Sequence, residues 1–473
     1  MTARTTEKPC RSNLAGAELG ARSNGAAPVA TVPSPAHMSL AERSDIVLGA
    51  ARVLYLNGQT THQTLAAADR LAGTLGLRTT LIPRWGELQL QAQDERGARL
   101  TSIVPADPSG VHMGRVAALG RTIADLTVSG PPPARARAAI TGISEAPPLP
   151  TWLFALAAAT GALSLAIIFG LRHVDAGTLI FLSAGIGGGV RRRLAKFGAN
   201  LYLQPLAAAL IAGVIGALAV QWNISSPLRL VALCPCLVLV PGPHLLNGAL
   251  DVLEGRVALG LSRLLYAAVV LIAIATGLLV GLAMLGESLT VTPPGRSVPL
   301  LRDMIFAGVA AACYGVYFNM PLRMLAWPVA AAAPAHAIRW LATSEFHSTP
   351  AIAALAGCAF VGLVMAPVAR RRHLPFAAIG FASVVSMMPG SYVMRMAGGV
   401  VEIADGSHTT LALISGTIAN GATAFLIILA MGIGLLVPKL VTDRVTTRPR
   451  GHRAKPVEPC SARRSRREQA AIS

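Results

Sequence analysis

Charge is scarce in this chain, and acidic charge is scarcest. Only 13% of its 473 residues are Asp, Glu, Lys or Arg, and 22 acids stand against 41 bases. Soluble globular domains carry roughly 25% charged residues, so a chain this long with about half that share points to lipid rather than water. Cysteine is too sparse for a disulfide scaffold. Cys10 and Cys460 sit in polar ends, while Cys234, Cys236, Cys313 and Cys358 lie in apolar segments, and no pairing framework emerges. The chain has no Gly-Lys pair, which removes the phosphate-cradling loop of P-loop ATPases. No nucleophile elbow or metalloprotease motif is present either, so the chain is not expected to be an enzyme, and no cofactor or metal is expected.

What is there is apolar. Hydrophobic residues make up 53% and the mean hydropathy is +0.56. The net charge of +19 would by itself suggest nucleic acid, but the arginines cluster at the ends of apolar stretches, where membrane topology accounts for them. No nucleic-acid partner is expected. The bilayer is.

The first part of the chain reads differently from the rest. Residues 1–44 are polar, lack a signal-peptide core and are expected as a disordered tail. Asp45 to Leu56 has helical apolar spacing and stops at Asn57-Gly58, a helix terminator. A second helix should start at Thr60-Thr61 and run to Gly76. Three alternating stretches follow, at 78–83, 87–93 and 98–104, and read as a meander. A third helix is expected from Gly110 to Val128. Residues 45–130 therefore make a compact α+β domain, and the proline-rich stretch 131–148 reads as a linker.

Past Leu149 the chain is read as an all-α polytopic membrane protein. A span needs about 20 apolar residues, and segments near that length recur at 150–171, 174–190, 201–220, 228–240, 264–285, 304–320, 324–341, 350–369, 375–388 and 411–437. Two of these, 228–240 and 375–388, are short, and both run into Pro-Gly, at Pro241-Gly242 and Pro389-Gly390. Those sites are 148 residues apart, and the helices after them start 147 apart. Residues 149–290 and 300–440 thus read as two five-helix halves. An odd number of spans forces the second half to enter upside down, the inverted-repeat plan of many secondary transporters. Two unrelated helical stretches of membrane composition would be the alternative; the arginine triplets 191–193 and 370–372, 179 residues apart, fall outside the register.

Basic residues set the orientation. Arg191-Arg192-Arg193-Leu194-Ala195-Lys196, Arg370-Arg371-Arg372 and the tail 441–473, preceded by Lys439, all fall on one side if there are ten spans, whereas the other side carries only the scattered Arg172, Arg296, Arg302 and Arg339. With the positive side inside, the α+β domain and both termini are cytoplasmic, in the plasma (inner) membrane. The basic tail, also expected to be disordered, could instead bind anionic lipid or nucleic acid.

Polar chemistry concentrates after the first break. Proline removes a donor and glycine permits unusual dihedrals, so helix ends open at Pro241, Gly242, Pro389 and Gly390. Freed amides and the positive end of a half-helix suit a carboxylate, while carbonyls with Asp251 or Glu254 suit an ammonium. An amino acid offers both groups. Asn247, Asp251 and Glu254 recur at helical spacing and share a face. His244, Asp251, Glu254, Glu402, Asp405 and His408 flank the breaks as proton-binding candidates, and Glu254 and Glu402 share the 148-residue offset. An interfacial helix whose acids simply face water fits the same pattern. Cys234-Pro235-Cys236 could be a soft-metal thiolate pair, or two small buried residues at a kink, and the second is favoured. His62 reads as part of a helix start.

The run Pro241-Gly242 to Asn247-Gly248, Asp251, Glu254-Gly255 and Ser262-Arg263-Leu264 resembles the threonine/serine exporter family. So do Leu56-Asn57-Gly58-Gln59-Thr60-Thr61-His62, Leu75-Gly76-Leu77 and Val111-His112-Met113-Gly114-Arg115-Val116, and the likeness extends over roughly 45–440. It implies proton-driven export of L-threonine, L-serine or similar small amino acids, with the soluble domain in the cytoplasm. The second break departs from the first, with Gly399 where Asp251 has its counterpart. A channel-type facilitator, or a membrane-tethered enzyme or sensor acting through the amino-terminal domain, are the other function classes. Oligomeric state is not legible.

Reporter fusions after Lys196, Arg372 and Lys439 are expected to report cytoplasm in every case. A periplasmic signal at any one of them breaks the ten-span arrangement.

Overall fold

The computed structural model describes residues 38–129, 133–224, 229–291, 298–371, 374, 376–406 and 409–446. Of the tails expected at 1–44 and 441–473, residues 1–37 and 447–473 lie outside the described residues, as does the candidate His408, while 40–44 belong to the first helix and 441–446 to the last.

The amino-terminal domain forms from strong local signals. Helix α1 (Leu40–Leu56) opens with a capping box between Ser39 and Glu42, and the chain leaves it through Gly58 at φ +90°, a conformation that L side chains resist. Thr60 caps α2 (Thr61–Thr74) through the Gln63 amide. Strands β1 (Leu77–Arg84), β2 (Gly86–Asp94) and β3 (Arg99–Ala106) form an antiparallel sheet in the order β1-β2-β3. Leu81 lies opposite Leu90, and Leu88 opposite Val104. Leu88 and Leu90 are fully buried beneath α1, α2 and α3 (Met113–Ser129). The stretch read as a linker carries a helix of its own, α4 (Pro133–Glu145). Its Ala136 and Ile140 pack into the same core, so the prolines bound a helix rather than prevent one: proline is tolerated at a first helical position.

Among the described residues of the chain beyond 149, every regular element is a helix. Its helices are α5 (Thr151–Ile168), α6 (Val174–Lys196), α7 (Leu203–Gln221), α8 (Leu230–Leu237), α9 (Gly242–Leu253), α10 (Val257–Ala283), α11 (Leu300–Tyr317), α12 (Ala326–Ser344), α13 (Pro350–Arg371), α14 (Phe376–Val384), α15 (Gly390–Asp405) and α16 (Leu411–Thr446). A helix stands at each of the ten expected segments. Among the described residues, however, six are long and apolar enough to cross a membrane: α5, α7, α10, α11, α13 and α16. The count is seven if α8 and α9, bent by 57° at their break, make one span. The other expected spans fall short for physical reasons. α8 and α14 are cut by the breaks, α6 ends in the arginine triplet, and α12 carries His336 and Arg339. The fold is therefore a multi-pass helical membrane protein with a small α+β domain.

Glycine sets the closest helix pairs. A Cβ on Gly213 would come within 2.4 Å of the Leu278 carbonyl oxygen, and one on Gly277 within 2.3 Å of the Leu206 oxygen, so α7 and α10 touch backbone to backbone. In the second half α13 and α16 meet the same way through Gly362 and Gly434. Small residues are what allow apolar helices to pack in lipid. Gly277→Val is expected to push α10 off α7 at a cost of about 1–3 kcal/mol, read as a lower melting temperature and less monodisperse protein by size-exclusion chromatography. Gly189→Val, where an added Cβ meets nothing within 4 Å, should change neither.

Candidate functional site

The breaks themselves form the centre of the membrane region, and each rests on the other. A Cβ on Gly242 would strike the Phe381 ring at 2.1 Å and the Met388 methyl at 3.1 Å. One on Gly390 would meet Leu237 at 2.9 Å and Val240 at 3.2 Å. The contact of Gly242 with Met388 and that of Gly390 with Val240 are the same contact with the halves exchanged, since 242 + 148 = 390 and 240 + 148 = 388. Beside them, Leu245, Leu246, Phe381, Val384, Met388, Ile428 and Met431 line a small gap with apolar walls. A second small gap lies against Pro235 of α8, facing Ser183, Gly187 and Gly188 of α6. Cys234 and Cys236 are buried thiols on either side of that proline.

Helix α9 carries the acids expected to matter, and the structure gives them partners. Gly255, at φ +82°, turns the chain so that α9 folds back on α10. Gly248 and Gly260 let the two helices touch there, a Cβ on Gly260 meeting the Gly248 oxygen at 2.7 Å. Asp251 then faces Arg263 of α10, its Oδ2 3.2 Å from the arginine Nε, with both side chains buried. Thr61 of α2 donates its hydroxyl to the same Oδ2 at 3.0 Å, and Arg263 donates to the Thr61 Oγ1 at 3.5 Å. Arg256, itself half-buried, lies 3.4 Å from Asp251 Oδ1 and pairs with Glu254. Asn247 donates to the Gly58 carbonyl at 3.2 Å. Asn247 and Asp251 are therefore turned to the amino-terminal domain and not simply to water, while Glu254 pairs with Arg256.

That domain closes over the arginine. Its Tyr55 ring lies under the Arg263 guanidinium, 5.2 Å away, and the Tyr55 hydroxyl donates to the Arg84 carbonyl at 2.9 Å. Burial pushes that hydroxyl up to about 12, so it remains a donor. At the tip of the β1–β2 turn Trp85 meets Tyr266 of α10, 5.2 Å between ring centres, and His244 meets the same ring edge-on at 4.9 Å.

The third segment at this junction is 111–116. The His112 amide donates to the Asn57 carbonyl at 3.1 Å, while Met113 and Gly114 donate to Phe318 and Asn319 at 2.9 and 3.0 Å. A Cβ on Gly114 would sit 2.8 Å from the Asn319 oxygen, which is why glycine stands there. Burial, followed by the nearby Arg115, holds the His112 imidazole down at about 4. The ring is therefore neutral at physiological pH, and its Nδ1 accepts the Arg115 amide at 3.2 Å. Leu149 donates to the Asn319 side chain at 2.9 Å. Three of the four runs that carry the family resemblance, 56–62, 111–116 and 241–264, meet at one place.

The second half holds a buried polar cluster that the sequence reading did not single out. Asp303 of α11 lies 3.0 Å from the His336 Nδ1 of α12, and Arg339 donates to both carboxylate oxygens at 3.0 and 3.2 Å. The His336 Nε2 is 2.6 Å from the Ser386 hydroxyl, in the 3-10 turn Val385–Met387 just before the second break. Arg339 had been assigned to an outer loop; it belongs to α12. The signal was present, because ionisable residues inside apolar segments mark function by default. Glu402 is half-buried on α15, away from this cluster, and Asp405 is exposed at the end of that helix. Arg395 of α15, fully buried, donates to the Thr290 carbonyl at 2.6 Å.

A family model described as threonine/serine exporter matches residues 45–285, and a second, also described as threonine/serine exporter, matches residues 303–441. No solved structure matches the chain.

Removing one partner of a buried ion pair costs about 3–5 kcal/mol because the other charge is stranded. Arg263→Gln is therefore expected to loosen the domain by about 3 kcal/mol, less whatever Arg256 recovers. Adding Asp251→Asn should restore part of the loss. Thermal unfolding of the two single variants and the double one measures the coupling, and strictly additive losses would mean that the pair carries no mutual stabilisation.

Proposed function

The chain belongs to the threonine/serine exporter family, and from that premise we propose that it exports L-threonine, L-serine and similar small amino acids across the plasma membrane in exchange for protons. The observation that carries this reading is the meeting of three runs of the resemblance, 56–62, 111–116 and 241–264, along α9. A carboxylate and two arginines stand together at the carboxyl end of that helix, a set that can receive both ends of a zwitterion. Asp251 is the group we assign to the substrate ammonium. Its half-buried partner Arg256 is the one free to move to the substrate carboxylate, with Asn247, Glu254 and the backbone at Pro241, Gly242 and His244 completing the site. Pro389, Gly390 and Glu402 are the corresponding elements of the second half.

Ten spans in two inverted five-helix halves, with both termini cytoplasmic, go with this reading. Two observations support the repeat: the reciprocal contacts of the breaks, and the matching close pairs α7–α10 and α13–α16. The orientation is supported by the domain's contacts, since Leu149, Asp251, Arg263 and Asn319 all fall on the inner side of a ten-span chain. One charge crossing 100 mV carries about 2.3 kcal/mol, enough for a concentration ratio of tens, which suffices for an overflow exporter without ATP.

Proteoliposomes holding the full chain are expected to accumulate labelled threonine and serine severalfold when a proton gradient is imposed, and to lose that accumulation when the gradient is collapsed. Equilibration without accumulation would point to a channel. Asp251→Asn should lower gradient-driven transport at least tenfold and Asp405→Asn less than twofold. An Asp251→Asn protein with the wild-type rate and pH dependence would leave Asp251 only its part in holding the domain.

A further inference from the structure

The Asp303–His336–Ser386 chain stands at the other end of the membrane region from the Asp251 junction. Helix α11 fixes its position. The carboxyl end of α11 is tied to the amino-terminal domain through Phe318 and Asn319, whereas Asp303 is near its amino end. At 1.5 Å per residue the two are separated by roughly 22 Å. Arg339, which holds the carboxylate, keeps 29% of its side chain exposed, against 0% for His336 and 2% for Asp303. The chain of contacts thus leads from a partly open end, through two fully buried groups, to the turn that begins the second break.

The hydrogen bonds fix what the imidazole can do. Asp303 accepts from Nδ1–H, which leaves Nε2 as the acceptor of the Ser386 hydroxyl in the neutral ring. One added proton occupies Nε2. The bond to Ser386 then reverses: Nε2–H donates, Ser386 accepts, and the serine hydrogen is released toward other acceptors at the break. The Asp303 carboxylate offsets the new charge. From the elements packed around the ring, the titratable or charged groups are Asp303 of α11, Arg339 one turn along α12, Cys358 of α13, next to the Gly357 that abuts the Ala335 carbonyl, and Tyr392 of α15, which faces Arg339. α14 and the 385–387 turn bring serines but no titratable side chain.

We infer that His336, clamped between Asp303 and Ser386, is the outward-facing proton-binding site of this transporter, and that its protonation is signalled to the Pro389-Gly390 break through the reversal of the Ser386 hydrogen bond. The inference rests on the proton-driven reading of function and adds the location and the switch. The substrate junction at Asp251 and the proton site at His336 are then separate, one at each end of the broken helices.

The test uses the full chain in proteoliposomes with two assays: threonine accumulation driven by a proton gradient, and threonine–threonine exchange with no gradient. His336→Gln is expected to cut driven accumulation at least tenfold while exchange falls less than threefold. Accumulation equal to wild type, or an equal loss in both assays, overturns the inference. Ser386→Ala keeps the His336–Asp303 pair and removes the acceptor of the protonated ring. Charge-assisted bonds are the stronger kind, so the pH midpoint of driven transport should move to lower pH by about half a unit, in response to outer pH alone. An unmoved midpoint overturns the inference even if His336→Gln does not assemble. A wild-type protein indifferent to the gradient would sink the proton-driven reading and this site with it; a gradient-dependent wild type beside an unaffected His336→Gln sinks the site alone.

Discussion

Two opposite charges buried side by side, Asp251 and Arg263, constrain how everything else in this protein can be arranged. Neither can be left alone away from water, so each requires the other and both require the hydroxyl of Thr61. That requirement joins the start of α2 in one domain to α9 and α10 in another. Once the joint is made, Tyr55 covers the guanidinium, Gly58 receives Asn247, and the segment 111–116 is brought against Asn319. The amino-terminal domain thereby touches both halves of the membrane region, the first through Asp251 and Arg263 and the second through Phe318 and Asn319.

The second half solves an equivalent problem differently. The residue at the position of Asn247, 148 residues on, is Arg395, and it too donates to a main-chain carbonyl, that of Thr290. Where α9 is roofed by a folded domain, α15 is roofed by the connection between the halves. The acid is absent at Gly399, where a Cβ would strike the Thr417 hydroxyl at 2.0 Å. Packing against α16 leaves no room for an aspartate there. The buried acid of this half stands instead on α11, beside His336 and Arg339 of α12, which is why its chemistry is not a copy of the first.

Much of this was legible in the sequence, and the divisions are physical. Helix stops such as Asn57-Gly58, the three alternating stretches and the Pro-Gly breaks are local signals, and the elements stand where those signals place them. The helix α4 was hidden because flanking prolines outweighed the spacing of Ala136 and Ile140. The span count was not settled by hydropathy, because α6 and α12 carry arginines and a histidine whose partners lie on other helices. Asp251 was found because it follows a Pro-Gly break and shares helical spacing with Asn247 and Glu254. Thr61 was noticed as a helix start and Arg263 as part of a family pattern, but neither as a partner of Asp251, since a contact across 190 residues leaves no trace in spacing. His336 was passed over for the same reason, its two partners lying 33 and 50 residues away.

The reciprocal seating of the two breaks has a bearing on leakage. Gly242 is packed against Phe381 and Met388, and Gly390 against Leu237 and Val240, with no space for a single added carbon at the tightest of these contacts. Neither hinge can therefore shift without its counterpart giving way, so the two halves are tied at their breaks, and the closest approach between them is sealed by carbon against carbon.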